Sequence, residues 1–190
     1  MCNRLDNADL INVIDPSNML QTIQRLDEQL EETLSLSESV EIKFNSNEIN
    51  NIVFAGVGGS AIGGSLIVNY IKNICKMPAI IHRNYNLPSF VDVNTLVFIT
   101  SNSGNTREQL KIYDEAKSKE AKIVVITGGG KLLERAKNDN CTLFYYEGRT
   151  SIAPTARASI CHMFFSILNI LQKIDFIPCQ KKELQMQLPL

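Results

Sequence analysis

The sequence predicts an α/β fold: a doubly wound, five-stranded parallel sheet with helices on both faces. After residue 51, five short segments rich in β-branched residues alternate with longer segments of helical periodicity. The short segments are continuous apolar runs, which is typical of parallel strands buried on both faces. Repeated strand–helix–strand order implies right-handed crossovers, and 190 residues suffice for one domain of this kind.

The segment before the sheet predicts a helix over 17–35 and a surface connection over 36–50. Pro16 marks the helix entry and Ser17 is a candidate N-cap. Apolar residues recur at helical spacing opposite an acidic face, and they are Met19, Leu20, Ile23, Leu26, Leu30 and Leu34. We assign residues 1–50 to this helix and connection.

The α/β pattern itself extends over residues 51–174. The predicted strands are 51–56, 78–83, 94–101, 121–129 and 141–147. The predicted helices are 60–75, 105–119, 131–139 and 154–174. Residues 175–190 form a linker, and its last part, 180–190, indicates the beginning of a further element.

Composition excludes several classes of function. Nineteen basic residues against twenty acidic ones give a net charge of −1, so no basic field attracts nucleic acid or an anionic membrane. Any bound anion must therefore be held by local geometry. We expect neither a nucleic-acid nor a membrane partner.

The cysteines and apolar segments predict a reduced, cytoplasmic protein. The five cysteines are odd in number and form no C-x-x-C pair, so neither a disulfide framework nor a zinc site is expected. The N-terminus lacks the apolar core of a signal peptide. The longest apolar run, around 160–171, contains Cys161, His162 and Asn169 and is too short and polar to span a bilayer.

A glycine-rich motif, VGGSAIGG (57–64), follows the first predicted strand. Its glycines permit a tight turn or close approach by a ligand, and Ser60 stands where unpaired helix amides point outward. A dinucleotide fingerprint is disfavoured because the next strand ends without the acidic residue that binds a ribose. No lysine follows as in a P-loop, so no cofactor is expected. A tight turn without a ligand remains the alternative.

A second motif, SNSGNT (101–106), follows the third strand. Ser101, Ser103 and Thr106 supply three hydroxyl donors, Gly104 lets the backbone fold around a ligand, and a helix begins at once. Such a loop predicts a phosphate site without a cationic side chain. The alternative is ordinary helix capping, which needs one such residue where this loop has five polar residues in six.

Both motifs lie at the carboxyl edge of the predicted sheet, where such folds bind ligands. Together with ITGGG (126–130) and a helix carrying A-R-A (156–158), they resemble the sugar isomerase (SIS) domain family. The likeness covers residues 51 to 170 and is greatest to the N-terminal SIS domain of the bifunctional phosphoglucose/phosphomannose isomerase family. It implies a flavodoxin-like SIS fold that binds a sugar 6-phosphate.

The resemblance implies a set of substrate-contacting positions. In that family the first loop contacts the sugar and the second holds the 6-phosphate, while an arginine stabilises the enediolate. The matching residues here are Gly59, Ser60, Ser101, Ser103, Thr106 and Arg157. Family members often have proline directly before that arginine, whereas Pro154 here is three residues earlier. A helix-surface salt bridge is the alternative role for Arg157.

The resemblance also implies that the catalytic base lies outside this chain. In the family a glutamate base, a ring-opening histidine and a lysine come from a second SIS domain, the histidine through a partner subunit. We find no counterpart of these here. His162 and His82 are interpreted as packed residues, and Glu147 and Glu108 belong to no supporting motif.

Three hypotheses about function follow. The chain is the substrate-binding half of a glucose-6-phosphate/mannose-6-phosphate isomerase, inactive without a second SIS domain. It is alternatively a stand-alone sugar-phosphate-binding module, a sensor or assembly unit without catalysis. The third is an isomerase of single SIS domains that borrow a base from a neighbouring chain. We also expect a partner, either a second copy in a homodimer or a second SIS domain. The N-terminal amphipathic helix and the apolar face of 158–171 exceed what one small domain covers, and the residues of that face are Ile160, Met163, Phe164, Phe165 and Leu168.

Overall fold

The computed structural model describes residues 7–148 and 152–179. Our predictions for the first six residues, for 149–151 and for the tail 180–190 lie outside the described residues. The sheet has five parallel strands in the order β2-β1-β3-β4-β5. They are β1 Asn51–Ala55, β2 Ala79–His82, β3 Thr95–Ser101, β4 Lys122–Thr127 and β5 Thr142–Tyr145. The predicted fold class is confirmed.

Helices cover both faces of this sheet. In chain order they are α1 Ala8–Ile14, α2 Met19–Gln24, α3 Leu26–Glu38, α4 Ala61–Ile71, α5 Arg107–Ser118, α6 Gly130–Asn138 and α7 Ile160–Lys173. Helices α4 and α7 pack on one face, with α3 against α7, and α5 and α6 pack on the other. The chain therefore winds in both directions from the centre of the sheet.

The strand side chains divide between two apolar cores. Ile52 and Phe54 of β1 belong to the core under α4 and α7, whereas Val53 and Ala55 belong to the core under α5 and α6. Successive strand side chains point to opposite faces, so a strand covered on both sides must be apolar throughout. Each large side chain buried in this way contributes about 1.5–3 kcal/mol. This is why the strands read as unbroken apolar runs.

The N-terminal helical region differs from the prediction. The predicted helix 17–35 is two helices, α2 and α3, with a break at Arg25. The expected apolar face is not the buried one, because Leu20 and Ile23 are 45% and 57% exposed. The buried positions are polar instead: Thr22, Gln29, Thr33 and Ser37. Helix α3 packs on α7, where buried polar groups require hydrogen-bond partners.

The last helix also begins later than predicted. Helix α7 starts at Ile160 rather than at residue 154, and residues 155–158 form a turn. The amide and the hydroxyl of Ser159 both donate to the carbonyl of Thr155, which closes this turn. Met163 and Leu168, which we expected on an uncovered apolar face, are buried.

Two features are absent from residues 7–148 and 152–179. No helix there is long and apolar enough to cross a membrane. No group of three or more histidine, cysteine or acidic residues in those ranges could hold a metal ion.

Candidate functional site

A pocket of about 390 Å³ opens at the carboxyl edge of the sheet, between β1 and β3. From β1 the chain crosses over one face through α4, and from β3 it crosses over the other through α5. Such a switch point separates the two outgoing loops and leaves a crevice in which α/β proteins bind ligands. The pocket is lined by Val57, Gly59, Ser60, Asn102, Ser103, Thr106, Pro154, Thr155 and Ala156.

Three segments build this pocket. The glycine loop, residues 56–60, follows β1, and the hydroxyl loop, residues 101–106, follows β3. The third segment, which we call the wall loop, is residues 152–159 before α7. The amide of Asn102 donates to Oγ of Ser60 across 3.2 Å, so the first two loops are in direct contact. Both loops lie at the carboxyl edge of the sheet, as predicted, and they are neighbours because β1 pairs with β3.

The glycine loop turns directly into α4. Gly58 has a φ of +59°, and residues 58–60 form one turn of 3₁₀ helix before α4 begins at Ala61. A Cβ at Gly59 would lie 3.3 Å from the backbone carbon of Ala156. The glycine loop and the wall loop therefore approach each other through backbone atoms, and the Ser60 side chain lines the pocket beside them.

Some of the hydroxyl groups of the hydroxyl loop form hydrogen bonds within the loop and stabilise its conformation. Oγ of Ser101 and Oγ1 of Thr106 are hydrogen-bonded at 2.9 Å, and the amide of Gly104 donates to Ser101 Oγ at 3.1 Å. Ser101 is completely buried and is absent from the pocket lining. Ser103 is exposed, accepts the Asn105 amide at 3.3 Å and can donate its hydroxyl proton into the pocket.

The loop after β4 supports the hydroxyl loop from behind. Oγ1 of Thr127 donates to the Ser101 carbonyl at 2.8 Å, and the Leu132 amide donates to the Gly104 carbonyl at 3.0 Å. A Cβ at Gly104 would lie 1.6 Å from the carbonyl oxygen of Gly129. The ITGGG motif thus acts as a support for the hydroxyl loop.

The pocket meets the amino end of α5. Thr106 is the N-cap residue, but its hydroxyl pairs with Ser101 and makes no capping bond. The first intrahelical bond runs from the Leu110 amide to the Thr106 carbonyl at 3.0 Å. The amides of the preceding turn are left for other partners, and they carry the positive end of the helix dipole. This end of the pocket suits an anion.

Asn102 connects the hydroxyl loop to the wall loop. Its Nδ2 donates to Oγ of Ser159 at 2.9 Å and to the hydroxyl of Tyr146 at 3.2 Å. Burial raises the pKa of Tyr146 to about 12, although hydrogen bonds of its hydroxyl with Asn102 and Ser159 oppose the rise. The sequence analysis assigned no role to Asn102, and the only signal was its place inside SNSGNT. Tyr146 and Ser159 gave no signal.

The structure places the predicted residues at different distances from the pocket. Gly59, Ser60, Ser103 and Thr106 line it together, while Ser101 lies behind Thr106. Arg157 is exposed in the turn before α7; its amide would lie 3.3 Å from a Cβ at Gly59, but its side chain is not part of the lining. Its position within a helix was predicted wrongly, and its catalytic role stays a prediction.

The histidines are buried, as expected. His162 is 0% exposed, its Nδ1 is hydrogen-bonded to Thr33 Oγ1 at 3.0 Å, and its ring meets the edge of Tyr146 at 4.5 Å between centroids. Burial lowers the pKa of His162 to about 4, so it is neutral near pH 7. His82 is also buried, and burial lowers its pKa too. None of the described residues that line the pocket has an ionisable side chain.

Comparison with known proteins agrees with this geometry. A family model described as the SIS domain matches residues 47–166, which include all three pocket loops. The bifunctional phosphoglucose/phosphomannose isomerase of Caldicellulosiruptor bescii is 36% identical over 159 residues, which cover 84% of this chain and 46% of that protein. The chain thus spans less than half the length of this curated relative.

Two solved structures share the fold. One is the C-terminal domain of glucosamine-fructose-6-phosphate aminotransferase from Francisella tularensis, with a TM-score of 0.67, 17% identity and coverage of 88% of this chain and 53% of that one. The other is the NanR protein of Vibrio vulnificus, with a TM-score of 0.57, 17% identity and coverage of 87% and 66%. The parallel sheet, the switch-point pocket and a family match over more than half of its length together show that the chain belongs to the SIS domain family.

Proposed function

We propose that this chain binds a sugar 6-phosphate as the N-terminal half of an aldose–ketose isomerase acting on glucose 6-phosphate and mannose 6-phosphate. The observation that carries the proposal is the meeting of the hydroxyls of Ser60, Ser103 and Thr106 with the amino end of α5 in one pocket. The name of the C. bescii relative supports this substrate class. So does the V. vulnificus NanR structure, which is a complex with ManNAc-6P.

The phosphate group would lie at the hydroxyl loop and the sugar between the glycine and wall loops. With a net charge of −1, the chain offers no long-range attraction to an anion. Hydroxyl donors and helix amides must therefore hold the phosphate at short range. The pocket volume of about 390 Å³ lies in the range of small-molecule sites. Binding energy from the phosphate would position the sugar carbons for reaction.

The reaction that we propose moves a proton between C1 and C2 through a cis-enediolate. It needs a base of suitable pKa and a group that stabilises the developing oxyanion. The described lining residues provide hydrogen bonds but no base, so the base would come from a second SIS domain. Arg157, at the rim beside Gly59, is our candidate for stabilising the enediolate oxygen.

Calorimetric titration with fructose 6-phosphate tests the binding proposal. We expect fructose 6-phosphate to bind and fructose to fail, because the phosphate contacts supply most of the affinity. Ser103→Ala should weaken binding about tenfold, the value of one hydrogen bond to a charged group. The matched control is Ser118→Ala, which removes an exposed hydroxyl at the carboxyl end of α5, the helix that follows the hydroxyl loop. This variant should bind as wild type. Equal affinity of wild type and Ser103→Ala would contradict the proposed phosphate loop.

A stand-alone sugar-phosphate-binding module is the second candidate function. The absence of an ionisable side chain among the described lining residues favours it, because such a pocket can bind a sugar phosphate without reacting. Assaying the purified chain for conversion of fructose 6-phosphate separates the candidates. Activity of the chain alone would favour an oligomer of single SIS domains. Activity only after adding a second SIS domain would favour the isomerase half.

We further propose that an apolar groove between α4 and α7 packs against a second SIS unit. The groove measures about 440 Å³ and is lined by Leu66, Asn69, Tyr70, Ile160, Cys161, Phe164 and Phe165. Ile62 and Leu66, one turn apart on α4, are 41% and 43% exposed. Neighbouring exposed apolar residues of this kind mark interaction surfaces.

Light scattering during size-exclusion chromatography tests this surface. We expect a dimer of the wild-type chain that Leu66→Glu converts to a monomer, because a buried unpaired carboxylate disfavours association. Val13→Glu, at an exposed apolar residue on α1, should leave the dimer intact. A wild-type chain that remains monomeric at all concentrations would contradict a second copy as the partner.

A further inference from the structure

Gln29 of α3 connects to the wall loop through its side-chain nitrogen and to the first turn of α7 through its side-chain oxygen. It is completely buried, and its Nε2 donates to the carbonyl of Ile152 at 3.1 Å and to that of Ala158 at 2.9 Å. Its Oε1 accepts the amide of Cys161 at 2.9 Å. One side chain thus satisfies three backbone groups more than 120 residues downstream.

These three groups bracket the part of the wall loop that lines the pocket. Ile152 precedes Pro154, Thr155 and Ala156, and Ala158 follows them. Cys161 lies in the first turn of α7, where amides have no intrahelical partner. Gln29 therefore fixes both ends of the loop and also caps the following helix from outside the local sequence.

Neighbouring polar residues of α3 behave differently. The hydroxyls of Thr33 and Ser37, on the same buried face, donate to carbonyls of α3 itself, at 2.6 Å and 2.7 Å. Thr33 is also hydrogen-bonded to His162. Their bonds lie within α3 or join it to His162 of α7, whereas those of Gln29 join α3 to the wall loop.

We propose that Gln29 is a positioning residue of the sugar-phosphate pocket: it sets the wall loop against Gly59 and so fixes the width of the site. The inference rests on the proposed function for the identity of the ligand. It does not require Gln29 to touch the sugar, since Gln29 is absent from the lining. A displacement of the wall loop would change the gap between Ala156 and Gly59, which is narrow enough that a Cβ at Gly59 would lie 3.3 Å from the backbone carbon of Ala156.

The chemistry of the position calls for a neutral amide. Two carbonyls need donors and one amide needs an acceptor, and a glutamine side chain offers both. An ionised glutamate at this position would accept from Cys161 but would face two carbonyl oxygens with negative charge. A protonated glutamate regains one donor, and burial raises the pKa of such a carboxyl. The affinity of the pocket for its ligand should therefore depend on pH when residue 29 is glutamate.

The test compares Gln29→Met, Gln29→Glu and the control Thr33→Val with wild type. Affinity for fructose 6-phosphate is measured by calorimetry at about pH 9 and about pH 5.5, which span the range of raised pKa values found for buried carboxyls. Each value is taken as a ratio to wild type at the same pH. Glu32 on α3, His162 and Cys161 on α7 and Tyr146 after β5 are present in every variant, so the ratio isolates residue 29. Hydrogen exchange of the Cys161 amide reports on the loop directly.

We expect Gln29→Met to weaken binding about tenfold and to accelerate exchange at Cys161 by at least about tenfold, since three hydrogen bonds are lost. Gln29→Glu should bind about tenfold more weakly at the higher pH and recover about threefold or more at the lower pH, as one donor returns. Thr33→Val should stay within about twofold in affinity, because its contacts lie away from the pocket.

Two outcomes would overturn the inference alone. One is a wild type that binds fructose 6-phosphate while Gln29→Met binds equally well despite faster exchange. The other is an affinity ratio for Gln29→Glu that is the same at both pH values. If Gln29→Met does not fold, Gln29→Glu supplies the test through that ratio. Failure of the wild type itself to bind would overturn the proposed function and this inference together, so the two failures are distinguishable.

Discussion

The loops after β1 and β3 form one pocket by different means. The glycine loop contributes main chain and the Ser60 hydroxyl, and it is held to its neighbour by the bond from the Asn102 amide. The hydroxyl loop contributes side chains, but Ser101 and part of Thr106 are used to hold the loop together. The number of hydroxyls in this motif therefore exceeds the number that line the pocket, because the loop must first fix its own shape.

The two loops also use glycine for different reasons. Gly58 and Gly104 have nearly the same backbone conformation, with φ of +59° and +63°. A Cβ would meet nothing within 4 Å at Gly58 but would meet the Gly129 carbonyl oxygen at 1.6 Å at Gly104. One glycine satisfies a backbone angle, and the other also permits contact between two loops. Substitutions can separate these two demands.

Gly104→Ala should have the largest effect. The left-handed conformation costs about 1–2 kcal/mol for alanine. The methyl group must also displace the loop after β4, and overpacking of this kind costs about 1–3 kcal/mol more. We expect the free energy of unfolding, measured with urea, to fall by about 3 kcal/mol and binding of fructose 6-phosphate to be lost. A variant with wild-type affinity would show that the contact with Gly129 does not shape the pocket.

The architecture around these loops was predictable because it depends on periodicity. Strands covered on both faces must be apolar at each position, and helices between them must carry an apolar stripe. Helix α5 buries Ile112, Tyr113 and Ala116 at helical spacing, and its predicted bounds differ by two residues at the start and one at the end. The positions of the two loops follow from the parallel topology, since all carboxyl ends of the strands meet at one edge.

The remainder of the site was not predictable, because it depends on long-range polar pairing. Helix α3 turns Gln29 and Thr33 inward because the wall loop and His162 offer partners, which the local pattern of leucines does not reveal. The segment 154–159 was predicted as part of a helix, yet the carbonyls of Ile152 before it and of Ala158 within it accept hydrogen bonds from Gln29. Tertiary hydrogen bonds override local propensity here.

Ser101→Ala should have an intermediate effect, and it distinguishes the two kinds of hydroxyl in one loop. Removing the Ser101 hydroxyl deprives the Thr106 hydroxyl and the Gly104 amide of a buried hydrogen-bond partner. Loss of such a partner costs about 1–3 kcal/mol. We expect urea unfolding to show a loss near the lower end of that range, with affinity reduced only as far as the loop loosens.

Ser103→Ala is the matched comparison for Ser101→Ala. Ser103 is exposed, so its removal should change the free energy of unfolding by about 0.5 kcal/mol or less while lowering affinity. If instead Ser101→Ala lowered affinity with unchanged stability, Ser101 would contact the ligand directly. The division of the loop into supporting and binding hydroxyls would then be wrong.

Gly58→Ala should have the smallest effect on affinity, and its loss of stability measures the cost of the left-handed backbone conformation by itself. Since a Cβ would enter open space, the expected loss is the conformational cost of about 1–2 kcal/mol, without the overpacking expected at Gly104. Affinity for fructose 6-phosphate should stay within about twofold of wild type, because Ser60 keeps its bond to the Asn102 amide. Urea unfolding and calorimetry of this variant beside Gly104→Ala check both values. An equal loss of stability in the two variants would contradict this comparison. It would show that the positive φ alone requires glycine at both positions and that the contact between the two loops adds nothing at Gly104.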